Sequence, residues 1–128
     1  MLETKTKIQN FWDLDAWKEG EKLAVLAYEI TKGFPREEVY ALTDQIRRDV
    51  ISIPGNIAEG FGRESYKDKT HFYMMAQGSV YELQSHVLIA KKLSYLPADK
   101  FQQVFDLSIK VHRILSGLIK KSRSIRDS

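Results

Sequence analysis

Cysteine is absent from the 128 residues. That removes disulfide staples, thiolate-ligated zinc or iron–sulfur sites and any thiol nucleophile, and it suits a reducing compartment. No apolar run approaches the roughly 18 residues needed to cross a bilayer. The opening MLETKTKIQNFWDLD lacks the apolar region of a signal peptide, so a cytoplasmic location without membrane association is expected. There is no N-x-S/T sequon, internal repeat, low-complexity tract or linker. A single domain over residues 1–128 is expected, with 1–12 and 123–128 as flexible ends.

The motifs of common enzyme chemistries are missing too. GNIAEGFG has glycines but no GK[ST] ending and no preceding strand, so it is not a phosphate loop. HExxH and GxSxG do not occur. Two-metal bundles need Glu-x-x-His pairs, whereas Glu82 stands four residues before His86 and no other Glu pairs with a His at that spacing. His71 and His112 are single residues on helical segments. No catalytic residue, cofactor or metal is expected, and the chain reads as non-enzymatic.

What is present is helical periodicity. Leu23, Ala27, Ile30 and Phe34 recur at three or four residues along a first helix, about Asp15 to Lys32. Asp13 or Asp15 is positioned to cap its start and Gly33 to stop it. Pro35 then suits the opening of a second helix, about Arg36 to Gly60. Val39, Leu42, Ile46, Val50, Ile53 and Ile57 form its stripe. The stripe continues through Pro54, which predicts a kink rather than an end.

Ser65 and Asp68 make a variant capping box for a third helix, about Tyr66 to Ser94. Phe72, Ala76, Ser79, Leu83, Ala90 and Leu93 form one row on it, and Met74, Tyr81 and Leu88 a second. A helix apolar on two faces is either central in its domain or covered by another subunit. The fourth helix runs from Pro97 to about Ser122, with Phe101, Val104, Val111, Leu115 and Leu118 inward. Four helices with short joints predict an all-α, antiparallel up-down-up-down four-helix bundle.

Charge is unevenly placed. The chain carries +3 overall, yet from Ser108 onward Lys110, Arg113, Lys120, Lys121, Arg123 and Arg126 face Asp127 alone. Such a tail fits a polyanion or an acidic partner. On this feature alone the favoured reading is a solvated helix end, where cations suit the dipole. Arg63, Lys67 and Lys69, beside Phe61 and Tyr66, make a second basic cluster with aromatic stacking groups of the kind single-stranded RNA recognition uses. No base-reading module signature accompanies it.

A polar row runs along the second helix. Ser52, Asn56, Glu59 and Arg63 share one face, extended by Arg48 and Gln45. Ser79, Glu82 and His86 make a facing row on the third helix, and Gly78 leaves room for another backbone. The row reads either as a ligand site or as a network fixing register or a subunit contact. The second reading is favoured, because no ready nucleophile or general base stands in it.

The run QIRRDVISIPGNIAEGFGRES, followed by FYMMAQGSVYELQSHVLIAKKLSYL, resembles the four-helix bundle family of the 23S rRNA intervening-sequence protein, also called the S23 ribosomal protein family. Gln45, Arg47, Ser52, Ile53, Pro54, Asn56, Ile57, Ala58, Glu59, Gly60, Arg63, Ala76, Gly78, Ser79, Glu82 and Leu83 carry the likeness. Leu14, Trp17, Phe34, Pro35 and Leu42 also fit, so it spans about Phe11 to Lys120. The resemblance implies a homopentamer with a central channel. It also implies kinship to the nucleic-acid-binding accessory variability protein of diversity-generating retroelements, and it brings no catalytic residues. Two functions follow as expectations: a homo-oligomer binding RNA or DNA through its basic surface, or an oligomeric adaptor for a protein partner.

Overall fold

The computed structural model describes residues 8–128. Its helices are α1 (Asp15–Thr31), α2 (Leu42–Phe61), α3 (Tyr66–Lys92) and α4 (Ala98–Arg126), with no strand among the described residues. Each helix packs on its chain neighbours, and α1 closes the ring against α4. Cross-contacts fix the directions. Gly20 meets Ile53 while Arg47 reaches back to Thr31; Asp49 meets His86 while Ser52 meets Ser79. Gln77 bonds Ser116 and Gln84 bonds Ser108, and Glu19 pairs with Lys110. Neighbours therefore run antiparallel, up-down-up-down.

The apolar stripes meet in one core. Leu23 and Ala27 of α1, Ile46, Val50, Ile53 and Ile57 of α2, Ala76, Val80 and Leu83 of α3, and Val104, Val111 and Leu115 of α4 are fully buried. Each large member contributes about 1.5–3 kcal/mol relative to exposure. Pro54 lies inside α2, which runs unbroken to Phe61. The stripe decides the matter there, because the packing on both sides outweighs one lost backbone bond.

The ends differ from the spacing in instructive ways. The second helix begins at Leu42 and not near Arg36. Arg36–Glu38 is a separate 3-10 turn, and Val39 is exposed. Glu38 explains the break: its carboxylate accepts from the Leu42 N–H at 3.2 Å and from the Tyr95 hydroxyl at 2.9 Å. It thus starts α2 while tying the turn to the joint after α3, where Tyr95 packs on Phe34. Neither Asp13 nor Asp15 caps α1, whose flanking residue is Leu14 without a side-chain cap.

Ser65 does cap α3, accepting from the Asp68 N–H at 3.1 Å. α3 stops at Lys92. Ser94 takes a left-handed φ of 60°, and the Tyr95 N–H then returns to the Ala90 carbonyl, closing a Schellman-type end. On α4 the buried residue near the end is Ile119, with Leu118 only half-buried. Of the ends expected to be flexible, residues 1–7 lie outside the described residues, Phe11–Asp13 make a 3-10 turn and α4 reaches Arg126.

One close approach locks α2 to α3. A methyl group at Gly60 would lie 2.8 Å from the Tyr73 ring and 3.0 Å from the Phe72 Cβ. The second of these neighbours sits next to the backbone and cannot swing aside. Gly60→Ala is therefore expected to destabilise the fold by about 1–3 kcal/mol, measured as a lower urea midpoint. Gly55→Ala, whose new methyl would meet nothing within 4 Å, should not.

Candidate nucleic-acid interface

The termini of four helices gather at one end of the bundle: the start of α1, the end of α2, the start of α3 and the end of α4. Among them lies a cleft of about 350 Å³. Leu14, Phe61, Tyr66, Tyr73, Leu118 and Ile125 line it, with Lys69 from the first turn of α3 and Lys121 from α4. Lys69 donates to the Phe61 carbonyl at 2.7 Å, satisfying an acceptor left open by the end of α2. Its ammonium also stands 5.4 Å from the Phe61 ring centroid and 5.7 Å from that of Tyr66. Burial holds its pKa below the usual lysine range. Two basic segments separated by half the chain thus share one aromatic-walled cleft.

The other expected cations spread around it. Lys67 is exposed. Arg63 stacks 4.7 Å over the Phe72 ring and pairs with Glu59 at 2.7 Å. Lys120 and Arg123 border a shallower hollow with Gln77 and Ser116 between α3 and α4, and Arg123 also touches the Met74 sulfur. Arg126 is held by Asp127, which raises the Arg126 pKa and lowers that of Asp127. Lys110 faces away from this end region and pairs with Glu19 of α1 at 3.2 Å, while Arg113 is exposed midway along α4. The tail is therefore not a single strip: Lys121 joins Lys69, Lys120 and Arg123 join α3, and Lys110 joins α1.

The polar row also divides. Ser52 and Ser79 meet hydroxyl to hydroxyl between α2 and α3, and Asn56 donates back to the Ser52 carbonyl. Glu59 is half exposed and Glu82 is exposed, so neither belongs to a buried network. Arg47 turns the other way, donating to the Thr31 hydroxyl at 3.0 Å and lying 4.7 Å over the Tyr28 ring. Arg48 pairs with Asp44 on the surface. Gly78 has nothing within 4 Å of a would-be Cβ, so no backbone of this chain approaches it.

The charge inside the seam is one that sequence reasoning missed. Asp49 is 5% exposed and bonds the His86 Nδ1 at 2.5 Å. Burial, the larger effect, raises its pKa, and the contact with His86 lowers it in part. Asp49 falls within the apolar spacing of Ile46, Val50 and Ile53, which hid it. A second seam, between α3 and α4, was likewise missed: Thr70–Ser122, Gln77–Ser116 and Gln84–Ser108. Its signal was the seven-residue repeat of Thr70, Gln77 and Gln84.

The second apolar row of α3 does lie on the outside. Met74 and Leu88 are 45% exposed and Tyr81 57%, with Met75 and Ile89 beside them. The structure thus defines an all-α four-helix bundle with a basic, aromatic cleft at one end and an uncharged stripe along one helix. The profile of the 23S rRNA-intervening sequence protein family matches residues 12–117, and the chain belongs to that family. It is similar to a protein of unknown function from the S23 ribosomal protein family of Bacteroides thetaiotaomicron VPI-5482, whose crystal structure superposes with a TM-score of 0.74. The two are 18% identical, over 82% of this chain and 98% of that one. Comparison with curated proteins found no match.

Glu59 and Asp49 make opposite predictions. Glu59→Ala removes an exposed i,i+4 pair and should cost only about 0.3–0.5 kcal/mol. A raised carboxyl pKa means that the folded state holds its proton more tightly than the unfolded chain. The Asp49 contribution is therefore fully present below 3.8, its ordinary value, and is lost as pH rises through its higher folded value. Asp49→Asn should flatten that part of a stability-against-pH curve measured by urea unfolding.

Proposed function

We propose that the chain is the subunit of a non-enzymatic homo-oligomer, a pentamer by its family resemblance, that binds RNA or DNA through its basic end. The observation that carries this reading is the sharing of one cleft by Lys69 and Lys121 with Phe61 and Tyr66. Cations beside aromatic rings are the combination that holds phosphates and bases together. Arg63 in the joint, Lys67 at the start of α3, and Lys120, Arg123 and Arg126 on α4 extend the positive surface around it. Arg113 and Lys110 sit farther along α4. In a closed ring every copy would present the same surface, so weak individual contacts would act together.

The oligomeric part of the reading rests on α3. Met74, Tyr81 and Leu88 repeat every seven residues, with Gly78 and Ser85 alternating between them. Large residues alternating with small ones suit interlocking with a neighbouring helix, and burying such a face removes an apolar surface that a lone chain leaves in water. The same face favours the second reading, an adaptor that uses the stripe to hold a different protein.

Light scattering across a salt series, with and without a mixed RNA and DNA ladder, separates these readings. An oligomer is expected to take up nucleic acid. If about six cations contact phosphates of one strand, log K should fall with log salt at a slope near −4. An oligomer indifferent to nucleic acid would favour the adaptor.

Charge reversal then assigns the surface. Replacing Lys120, Lys121, Arg123 and Arg126 together by Glu should weaken binding by more than tenfold and flatten the salt slope. Unchanged affinity in that variant would remove α4 from the interface.

A further inference from the structure

We infer that the cleft at the Lys69–Lys121 end takes a single unstacked base, so that the protein binds single-stranded nucleic acid in preference to a duplex. This rests on the nucleic-acid reading above and goes further by naming the form of the ligand and the group that enters.

The geometry of the cleft carries it. At about 350 Å³, the space suits one planar heteroaromatic ring and not a helix. Phe61 and Tyr66 line the cleft, and Tyr66 is partly open to solvent. Of the three N–H bonds of Lys69, the Phe61 carbonyl takes one, which leaves two for phosphate oxygens. Burial lowers its pKa, and an adjacent anion would oppose that shift. Lys121 of α4 provides a second cation at the cleft, and consecutive phosphates flank any base.

Tyr73 supplies the polar group for a base edge. The residue is only 4% exposed, and its hydroxyl has no hydrogen-bond partner among the described residues. It lines the cleft. Its pKa is pushed up to about 12 by burial, so it stays a neutral hydroxyl able to donate and accept near neutral pH. An aliphatic chain in the same space would leave that hydroxyl unpaired. A ring carrying nitrogen and carbonyl acceptors would satisfy it. A paired, stacked base offers neither face nor edge to such a cleft, because stacking must first be broken.

The test is fluorescence anisotropy on the full chain with four labelled probes at one salt concentration: a 12-nucleotide single strand, its duplex, the same strand built of abasic sites, and a labelled adenosine monophosphate. The intact single strand should bind about tenfold or more tightly than the abasic strand, the effect of one base–aromatic stack. It should also outcompete the duplex, although the duplex carries twice the charge. Tyr66→Ala and Tyr73→Phe should each narrow the ratio between intact-strand and abasic-strand affinity. Tyr73→Phe keeps the ring that packs on Gly60, and circular dichroism checks that both variants fold.

Equal affinity for intact and abasic strands would overturn the base-binding cleft while leaving the nucleic-acid reading standing. A duplex bound as tightly as the single strand would do the same. Adenosine monophosphate bound as tightly as the strand would overturn the assignment to a polymer. No binding to any probe at low salt would overturn both readings together.

Discussion

Gly60 has no side chain, and the Tyr73 ring occupies the place where one would be. The spacing between α2 and α3 at the cleft end is set by that contact. Beyond that contact, Ile46, Val50, Ile53 and Ile57 of α2 share the buried core with Ala76, Val80, Leu83 and Val87 of α3. The same contact buries the Tyr73 ring, and the first turn of α3 carries Lys69 back to the end of α2. α1 and α4 then close on the other two sides, bringing Leu14, Leu118 and Lys121 to the cleft. A core contact and a surface feature thus have one origin.

The seams around α3 do a different job from the core. Hydrophobic burial is tolerant of sliding, because one Ile is much like another. Paired polar groups are not. Ser52 with Ser79 and Asp49 with His86 hold α2, and Thr70, Gln77 and Gln84 reach three serines of α4. A shift of α3 by one turn would leave most of these groups without partners, at a cost of about 1–3 kcal/mol for each one left buried. Polar side chains between helices therefore fix register where the aliphatic core does not.

The four helices, their order and most buried positions were legible in the spacing of apolar residues, since burial on one face imposes the period directly. What escaped depended on partners far away in the chain. Val39 continued the stripe of α2, but Glu38 ends the turn there by bonding Tyr95, fifty-seven residues on. Asp49 looked like a core position because it occupies one; its partner His86 stood in a different row. Glu59 looked like a member of a buried network but lies on the half-exposed side of α2. The basic and aromatic residues of segment 61–69, from the end of α2 to the first turn of α3, were visible as neighbours in sequence. Their meeting with Lys121 was not, because it needs α1 and α4 in place.

The topology also separates the ends of the molecule. The cleft gathers Leu14, Phe61, Tyr66 and Lys121, whereas the turn before α2 lies at the opposite pole, about a full helix length away. Tyr40 sits in that turn and is 93% exposed. In a chain without cysteine, a thiol introduced there would be the sole point of attachment for a dye or a surface tether. Single-molecule observation could then proceed with the probe remote from the cleft, and immobilisation through that pole would leave the cleft open to solution.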